Sequence, residues 1–414
     1  MNTRMEVQST DEQALKDVNV LDFGWAIAGS LTGKYLGDYG ATVIKVESSK
    51  RIDMIRTSRH VSISTGTNPD DKPRFVQLNT SKYGITLDLQ NPRARAVIEK
   101  LIIWADVINE NFTPGTMEKL GLDYASVKSI NPRIIMISGS LFGQTGPLAR
   151  EWGVDGIGAA LSGHSNLIGW PDRGPGGATV TYGDYILPFF NVLAVVSALD
   201  YRRKTGKGQY IDASMLEIWT HMTNPAILDW QANANLQNRN GNRIPNASPH
   251  GVFPCYGEDR WCAIAVFTEK EWRSFCNVID DPPWTKEPRF STLSNRKEHE
   301  DELEKLMSEW TVKHEAKDIM HMMQKAGIAA SVVQNAQDIL DNDPQMRERE
   351  FFVRLEHPVI GVFNHVNPPF KLLGTKPRTR TAPRLGEHNE YVCTHFLNIS
   401  DDEFVRLLQD GVFE

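Results

Sequence analysis

Thr179-Val180-Thr181-Tyr182-Gly183-Asp184-Tyr185-Ile186-Leu187-Pro188-Phe189-Phe190 decides how the rest of the chain is read. A β-branched run ends at a glycine, an aspartate follows, and residues 185–203 form an apolar segment long enough for a helix. Asp184 therefore stands at a helix start, where N–H groups without an intrahelical partner and their partial positive charge keep a carboxylate ionised. Its plainest reading is an N-cap. Pro188 suits a first turn, because the donor it lacks has no partner there. Beyond it, Ile186, Leu187, Phe189, Phe190, Val192, Leu193, Val195, Val196 and Leu199 leave almost no polar face, so the helix is expected to be buried. A membrane span is disfavoured, since Pro188, Asn191 and Ser197 interrupt the run and Asp200 ends it short of the roughly 20 residues a bilayer needs. Arg202, Arg203, Lys204 and Gly206 supply basic residues and a glycine stop, and a strand pattern follows to Ser214.

On the N-terminal side, residues 18–23 read as a buried strand, a helix runs to Gly40, and residues 41–47 make the next strand. This is a βαβ unit. Gly24, Gly29, Gly33 and Gly37 do not match G-x-G-x-x-G, and no G-x-x-x-x-G-K-[ST] is present, so the glycines are read as serving the turn and close helix–strand packing. Phe75 to Lys82 leads into a strand over 84–89, and Asn91-Pro92 opens a helix to about 104. A strand over 105–112, a helix over 122–130 and a strand over 133–138 complete an alternation that predicts a parallel sheet covered on both faces.

Residues 1–231 are taken as the large domain, 232–246 as a linker rich in Asn, Gln and Arg, 247–340 as a smaller α+β domain, and 341–414 as the return to the large domain. The small domain has a hairpin, 250–255 and 260–266, followed by amphipathic helices over 269–278, 297–310 and 316–326. The 414 residues carry a formal net charge of −7, which argues against nucleic acid or an anionic membrane as a partner. Anionic ligands must then be held by local basic residues. Cys255, Cys262, Cys276 and Cys393 have no CxxC spacing and the eleven histidines form no HExxH pair, so neither metal nor disulfides are expected. Residues 1–16 are polar without an apolar core, and a cytoplasmic protein is expected. Ser140 stands one place too early in Gly139-Ser140-Leu141-Phe142-Gly143 for a nucleophile elbow.

Val20-Leu21-Asp22-Phe23, Gly40-Ala41-Thr42-Val43-Ile44-Lys45-Val46-Glu47, Leu78-Asn79-Thr80-Ser81-Lys82, Glu110-Asn111-Phe112-Thr113-Pro114-Gly115, Leu120-Gly121 and Asn131-Pro132-Arg133 occur in the order seen in class III CoA-transferases. Phe142-Gly143, Gly183-Asp184, Lys204-Thr205-Gly206-Lys207-Gly208-Gln209, Gly251-Val252-Phe253 and Leu385-Gly386-Glu387-His388 continue the series. The chain resembles that family, which includes formyl-CoA, carnitine and benzylsuccinate CoA-transferases and the related α-methylacyl-CoA racemases. The resemblance implies an α/β fold with a Rossmann-like large domain and two protomers interlocked like chain links, as a homodimer or with a sister subunit.

It also implies that Asp184 is the catalytic aspartate, passing through an acyl anhydride and an aspartyl-CoA thioester. The N–H groups of Tyr185 and Ile186 are the oxyanion donors that this placement suggests. No tightly bound cofactor is implied, and the CoA thioester is a substrate. By the same resemblance Leu78, Lys82, Asn111, Phe112, Lys119 and Leu120 surround the CoA nucleotide, with Arg56 as a further phosphate ligand. Ile27 stands where some members have a glutamine near the acyl group. Gly153-Val154-Asp155 replaces the Gly-His-Asp of the racemases, which makes racemase the second reading. Asp155 falls on an acidic position of the transferases, where it either assists the reaction or serves a local hydrogen bond. Succinyl-CoA as donor, with an aromatic or dicarboxylic acid such as benzylsuccinate as acceptor, is the substrate expectation.

Overall fold

Short β-branched and apolar runs, each ending where polar residues begin, become β1 (Asn19–Asp22), β2 (Thr42–Glu47), β3 (Lys82–Thr86), β4 (Val107–Glu110), β5 (Ile135–Ser140) and β6 (Tyr210–Ser214). The structure is a computed structural model and describes residues 12–58, 67–177 and 180–414. The six strands pair in parallel in the order β3-β2-β1-β4-β5-β6, so the direction of winding reverses between β1 and β4. In such a sheet the crevice beyond the carboxyl ends of the strands at the reversal is where ligands bind.

Period-two alternation sends Leu21, Ile44, Ile108 and Met136 to one face and Val20, Val43, Val107, Ile135 and Ile137 to the other. The first face is covered by α3 (Ala94–Trp104), α4 (Tyr124–Ile130) and the C-terminal α11 (Asp401–Gln409), through Val97, Ile98, Leu101, Val127 and Leu407. The opposite face takes α1 (Ala28–Asp38) and α6 (Tyr182–Thr205) through Leu36, Val195 and Ala198. Between them in sequence come α2 (Pro73–Leu78) and α5 (Asp155–Leu161), and α7 (Met215–Met222) follows β6. Residues 73–78 are helical rather than a lead into the strand, with Pro73 in the first turn. The C-terminal segment is tied to β3: Ser81 N–H donates to Arg380 O at 3.0 Å and Thr86 Oγ1 to Phe413 O at 2.8 Å.

The chain divides into two compact units, one of residues 1–165, 177–235 and 345–414, the other of 166–176 and 236–344. Residues 166–176 thus join the second unit, although the linear reading placed them in the first. The second unit has an antiparallel sheet of β7 (His250–Pro254), β8 (Trp261–Ala265) and β9 (Ala329–Val332) in the order β7-β8-β9. Its helices α8 (Glu269–Val278), α9 (Glu300–Thr311) and α10 (Ala316–Lys325) bury Trp272, Phe275, Leu303, Met307, Ile319 and Met323 against Phe253 and Ile264. A two-stranded hairpin, β10 (Phe352–His357) and β11 (Gly361–Val366), belongs to the first unit.

Helix α6 departs from expectation. It has 24 residues, so it is long and apolar enough to cross a membrane by length and composition, yet only one side of it is buried. Leu187, Val195 and Ala198 face the core, whereas Leu193 is 63% exposed and Phe189 and Val196 are also exposed. Gly206, at φ 75°, ends the helix in the left-handed region that glycine enters without steric cost.

Candidate active site

Asp184 lies in the first turn of α6, but the residue at the cap is Thr181, whose side chain makes no capping hydrogen bond. Among the described residues, the Thr181 hydroxyl acts instead on the Asp184 carboxylate. Thr179, which opens the stretch quoted above, lies outside them. Burial, followed by the negative charge of Asp155, pushes the Asp184 carboxyl up to about 6, while Thr181 and Arg74 act in the opposite direction. The helix terminus does not dominate, so Asp184 is ionised only above that value, where it is more basic than an ordinary aspartate. Tyr185 N–H is already bonded to Thr181 O at 3.3 Å, which removes it from the oxyanion donors suggested by the sequence.

Asp155 opens α5 and is buried, and its Oδ1 accepts a hydrogen bond from Trp219 Nε1 of α7 at 3.0 Å. Both side chains press on Gly183. A Cβ at that position would fall on Asp155 Oδ1 and Trp219 Nε1, so only glycine lets the turn that carries Asp184 approach this pair. The other face of the indole carries His164, with ring centroids 4.3 Å apart, and Leu187, Met215 and Ile218 join Trp219 in an apolar cluster. Arg74 in α2 is partly buried and has no hydrogen bond or salt bridge among the described residues, so its charge is available to an anion near Asp184.

The residues expected around CoA fall into three groups. Phe112 and Leu120 line a cavity of about 320 Å³ at the carboxyl ends of β1 to β4, together with Phe23, Trp25, Ser48 and Arg51. Asn111 shapes it from behind: its Oδ1 accepts from Trp25 N–H at 2.7 Å and its Nδ2 donates to Trp25 O at 3.1 Å. Trp25 in turn meets Phe112 edge-on at 5.6 Å.

Lys119 is exposed and lies outside the cavity lining, while Leu78 is buried with Ile27, Leu31 and Phe75. Lys82 and Arg56 are placed differently from the phosphate ligands that the sequence suggested. Lys82 Nζ is buried against Asp22 at 2.7 Å, Ser30 O at 2.7 Å and Asn79 Oδ1 at 2.9 Å, and burial pushes it down to about 8 despite Asp22. Arg56 pairs with Glu47 at 2.9 Å and Asp70 at 2.6 Å while stacking on Phe75. Both cations are already satisfied by internal carboxylates. Sequence reasoning passed over Trp25, which follows the first strand, and over Lys50 and Arg51. Only their position beyond β2 brings them to the cavity.

The crevice at the carboxyl ends of the parallel strands thus offers aromatic and basic groups, and a partly buried carboxylate of raised basicity lies at a helix start. The chain belongs to CoA-transferase family III, whose family model matches residues 15–389, and it is a CoA-transferase of that family. It is 32% identical to succinyl-CoA–D-citramalate CoA-transferase of Chloroflexus aurantiacus over 95% of this chain and 96% of the relative. To succinate–glutarate CoA-transferase of Agrobacterium fabrum it is 30% identical over 93% and 96% of the two chains. The crystal structure of a CAIB/BAIF family protein from Brucella suis superposes with a TM-score of 0.85 at 28% identity, covering 93% of this chain and 99% of that one.

Proposed function

We propose that Asp184 carries CoA from an acyl-CoA donor to a carboxylic acid. The observation behind this reading is the Asp184 carboxylate itself, withdrawn from water in the first turn of α6 and pushed up to about 6. A carboxylate is a weak nucleophile, and desolvation, raised basicity and fixed orientation are the means of strengthening it. Asp184 attacks the thioester carbonyl, a C–O bond forms, and the C–S bond breaks with its electron pair going to sulfur. The thiolate then attacks the Asp184 carbonyl of the mixed anhydride, which gives aspartyl-CoA thioester and frees the donor's carboxylate. The acceptor carboxylate attacks that thioester, and the released thiolate takes the new acyl group and restores Asp184. No net proton moves. The apolar cluster of Leu187, Met215 and Trp219 keeps water from the anhydride.

The cavity beside Trp25 and Phe112 suits the adenine of CoA, with Leu120 and Asn111 shaping it, Arg51 in its lining as a phosphate ligand, and the exposed Lys119, outside the lining, as a further one. Leu78, Lys82 and Arg56 support it from behind. Succinyl-CoA is the proposed donor and a dicarboxylic acid, including an aromatic one such as benzylsuccinate, the acceptor. Two observations support this: the relatives carry succinyl, citramalate and glutarate in their names, and Arg74 offers an uncommitted charge near Asp184 for a second carboxylate. The enzyme works in the cytoplasm as an interlocked dimer of two copies or with a sister subunit. The exposed apolar side of α6 supports such an assembly.

The test is a panel of succinate, glutarate, citramalate, benzylsuccinate and butyrate offered with succinyl-CoA, with product thioesters identified by mass. Transfer to dicarboxylates in preference to butyrate is expected. Absence of transfer to every acid, in protein that binds CoA, would contradict the reading.

A further inference from the structure

Trp219 is 2% exposed, and its single polar atom is directed at a carboxylate rather than at backbone or solvent. That carboxylate, Asp155, is 6% exposed, and its Oδ1 would lie within bonding distance of a Cβ at Gly183, the residue before the nucleophile. Three elements therefore meet at one point: the first turn of α5, the first turn of α6 and the middle of α7. A buried aspartate needs a hydrogen bond, but any donor would satisfy it. An indole fixed by packing does more, because it allows the carboxylate one orientation.

We propose that Trp219 is a positioning residue of the transferase reaction: its N–H clamps the Asp155 carboxylate against Gly183 so that a second negative charge is held beside Asp184. This rests on the reading of Asp184 as the nucleophile. The groups around the pair offset that charge only in part, and burial and Asp155 together still hold Asp184 above its ordinary value. Among the described residues, Arg74 of α2 and the Thr181 hydroxyl at the cap of α6 oppose it at Asp184. His164, stacked on the same indole, is held below its ordinary value by burial, against the pull of Asp155. Acylation removes the charge on Asp184, so the repulsion from Asp155 falls between the ground state and the anhydride. An interaction relieved along the reaction coordinate speeds the step it precedes. It also favours departure of the donor's carboxylate, which leaves as an anion.

The experiment titrates Asp184 directly, without turnover, by carbon NMR of protein labelled at aspartate γ-carbons, with Asp184 assigned by comparison with Asp184→Asn. The wild-type inflection is expected at about 6. In Asp155→Asn, which keeps the acceptor for Trp219 and removes the charge, it falls part of the way towards the ordinary carboxylate range, burial alone still holding it above. Trp219→Phe produces the same fall, and the double variant falls no further.

Replacing Trp219 by β-(3-benzothienyl)alanine keeps the bicyclic shape and removes only the N–H. It gives the same result if Trp219→Phe fails to fold. The pH dependence of Asp184 acylation by succinyl-CoA moves in parallel. An unchanged inflection in the benzothienyl protein would make Trp219 a packing residue and overturn the proposal, as would an unchanged inflection in Asp155→Asn. Failure of the underlying reading is distinguishable, because wild-type Asp184 would then show no acyl or CoA adduct while still titrating.

Discussion

Asp184 and Gly183 make the chemistry a problem of single atoms. A carboxyl raised from 3.8 to about 6 in the folded state retains its proton where the unfolded chain has lost it. Its penalty therefore grows as pH rises between those values and is full above the upper one. Asp184→Asn is expected to stabilise the protein at pH 8 by about 2–3 kcal/mol and to leave it unchanged below the lower value, as followed by denaturant unfolding at both pH values. Equal effects at the two pH values would show that the carboxylate is not strained by its surroundings. Gly183→Ala places a methyl on the Asp155–Trp219 pair. Overpacking of this kind costs about 1–3 kcal/mol, and displacement of Asp184, the proposed nucleophile, is expected to lower kcat about 100-fold, measured beside a thermal melt.

At the scale of elements, the buried ion pair joining β1, α1 and β3 is the clearest test of packing. Lys82→Met leaves Asp22 buried without its cation and is expected to cost about 3–5 kcal/mol, whereas Asp22→Asn combined with Lys82→Met recovers part of that loss. Unfolding midpoints at constant m-value check both. The strands and most helices were legible because their periodicity is local: β1, β2 and β5, and helices such as α8 and α10, follow from alternation, caps and glycine stops.

The fate of the charges was not legible. Arg56 is held by Glu47, Asp70 and Pro383 O, and no local pattern reveals a partner 327 residues away. Trp25 was missed for the same reason, since its place beside Phe112 depends on the strand order rather than on spacing. The contact of Asp155 with Trp219 spans 64 residues and appears only once α5 and α7 are placed.

For the whole molecule, the exposed side of α6 matters most. Phe189, Val192, Leu193 and Val196 line an apolar cavity of about 450 Å³ with Tyr35, Tyr39 and Phe370. Apolar residues all round α6 made it look fully buried in sequence, which does not distinguish a core face from an exposed apolar one. Light scattering is expected to give an assembly of twice the 46.6 kDa chain, and Leu193→Asp to shift it towards monomer. A monomeric wild-type protein would contradict the proposed dimer.

The central claim, that CoA passes through Asp184, is tested most directly in the intact enzyme. Protein mixed with succinyl-CoA, quenched in acid and digested should yield the Asp184 peptide carrying a succinyl or CoA adduct, absent from Asp184→Asn. CoA transfer with an unmodified peptide, or an adduct that persists in Asp184→Asn, would contradict the account.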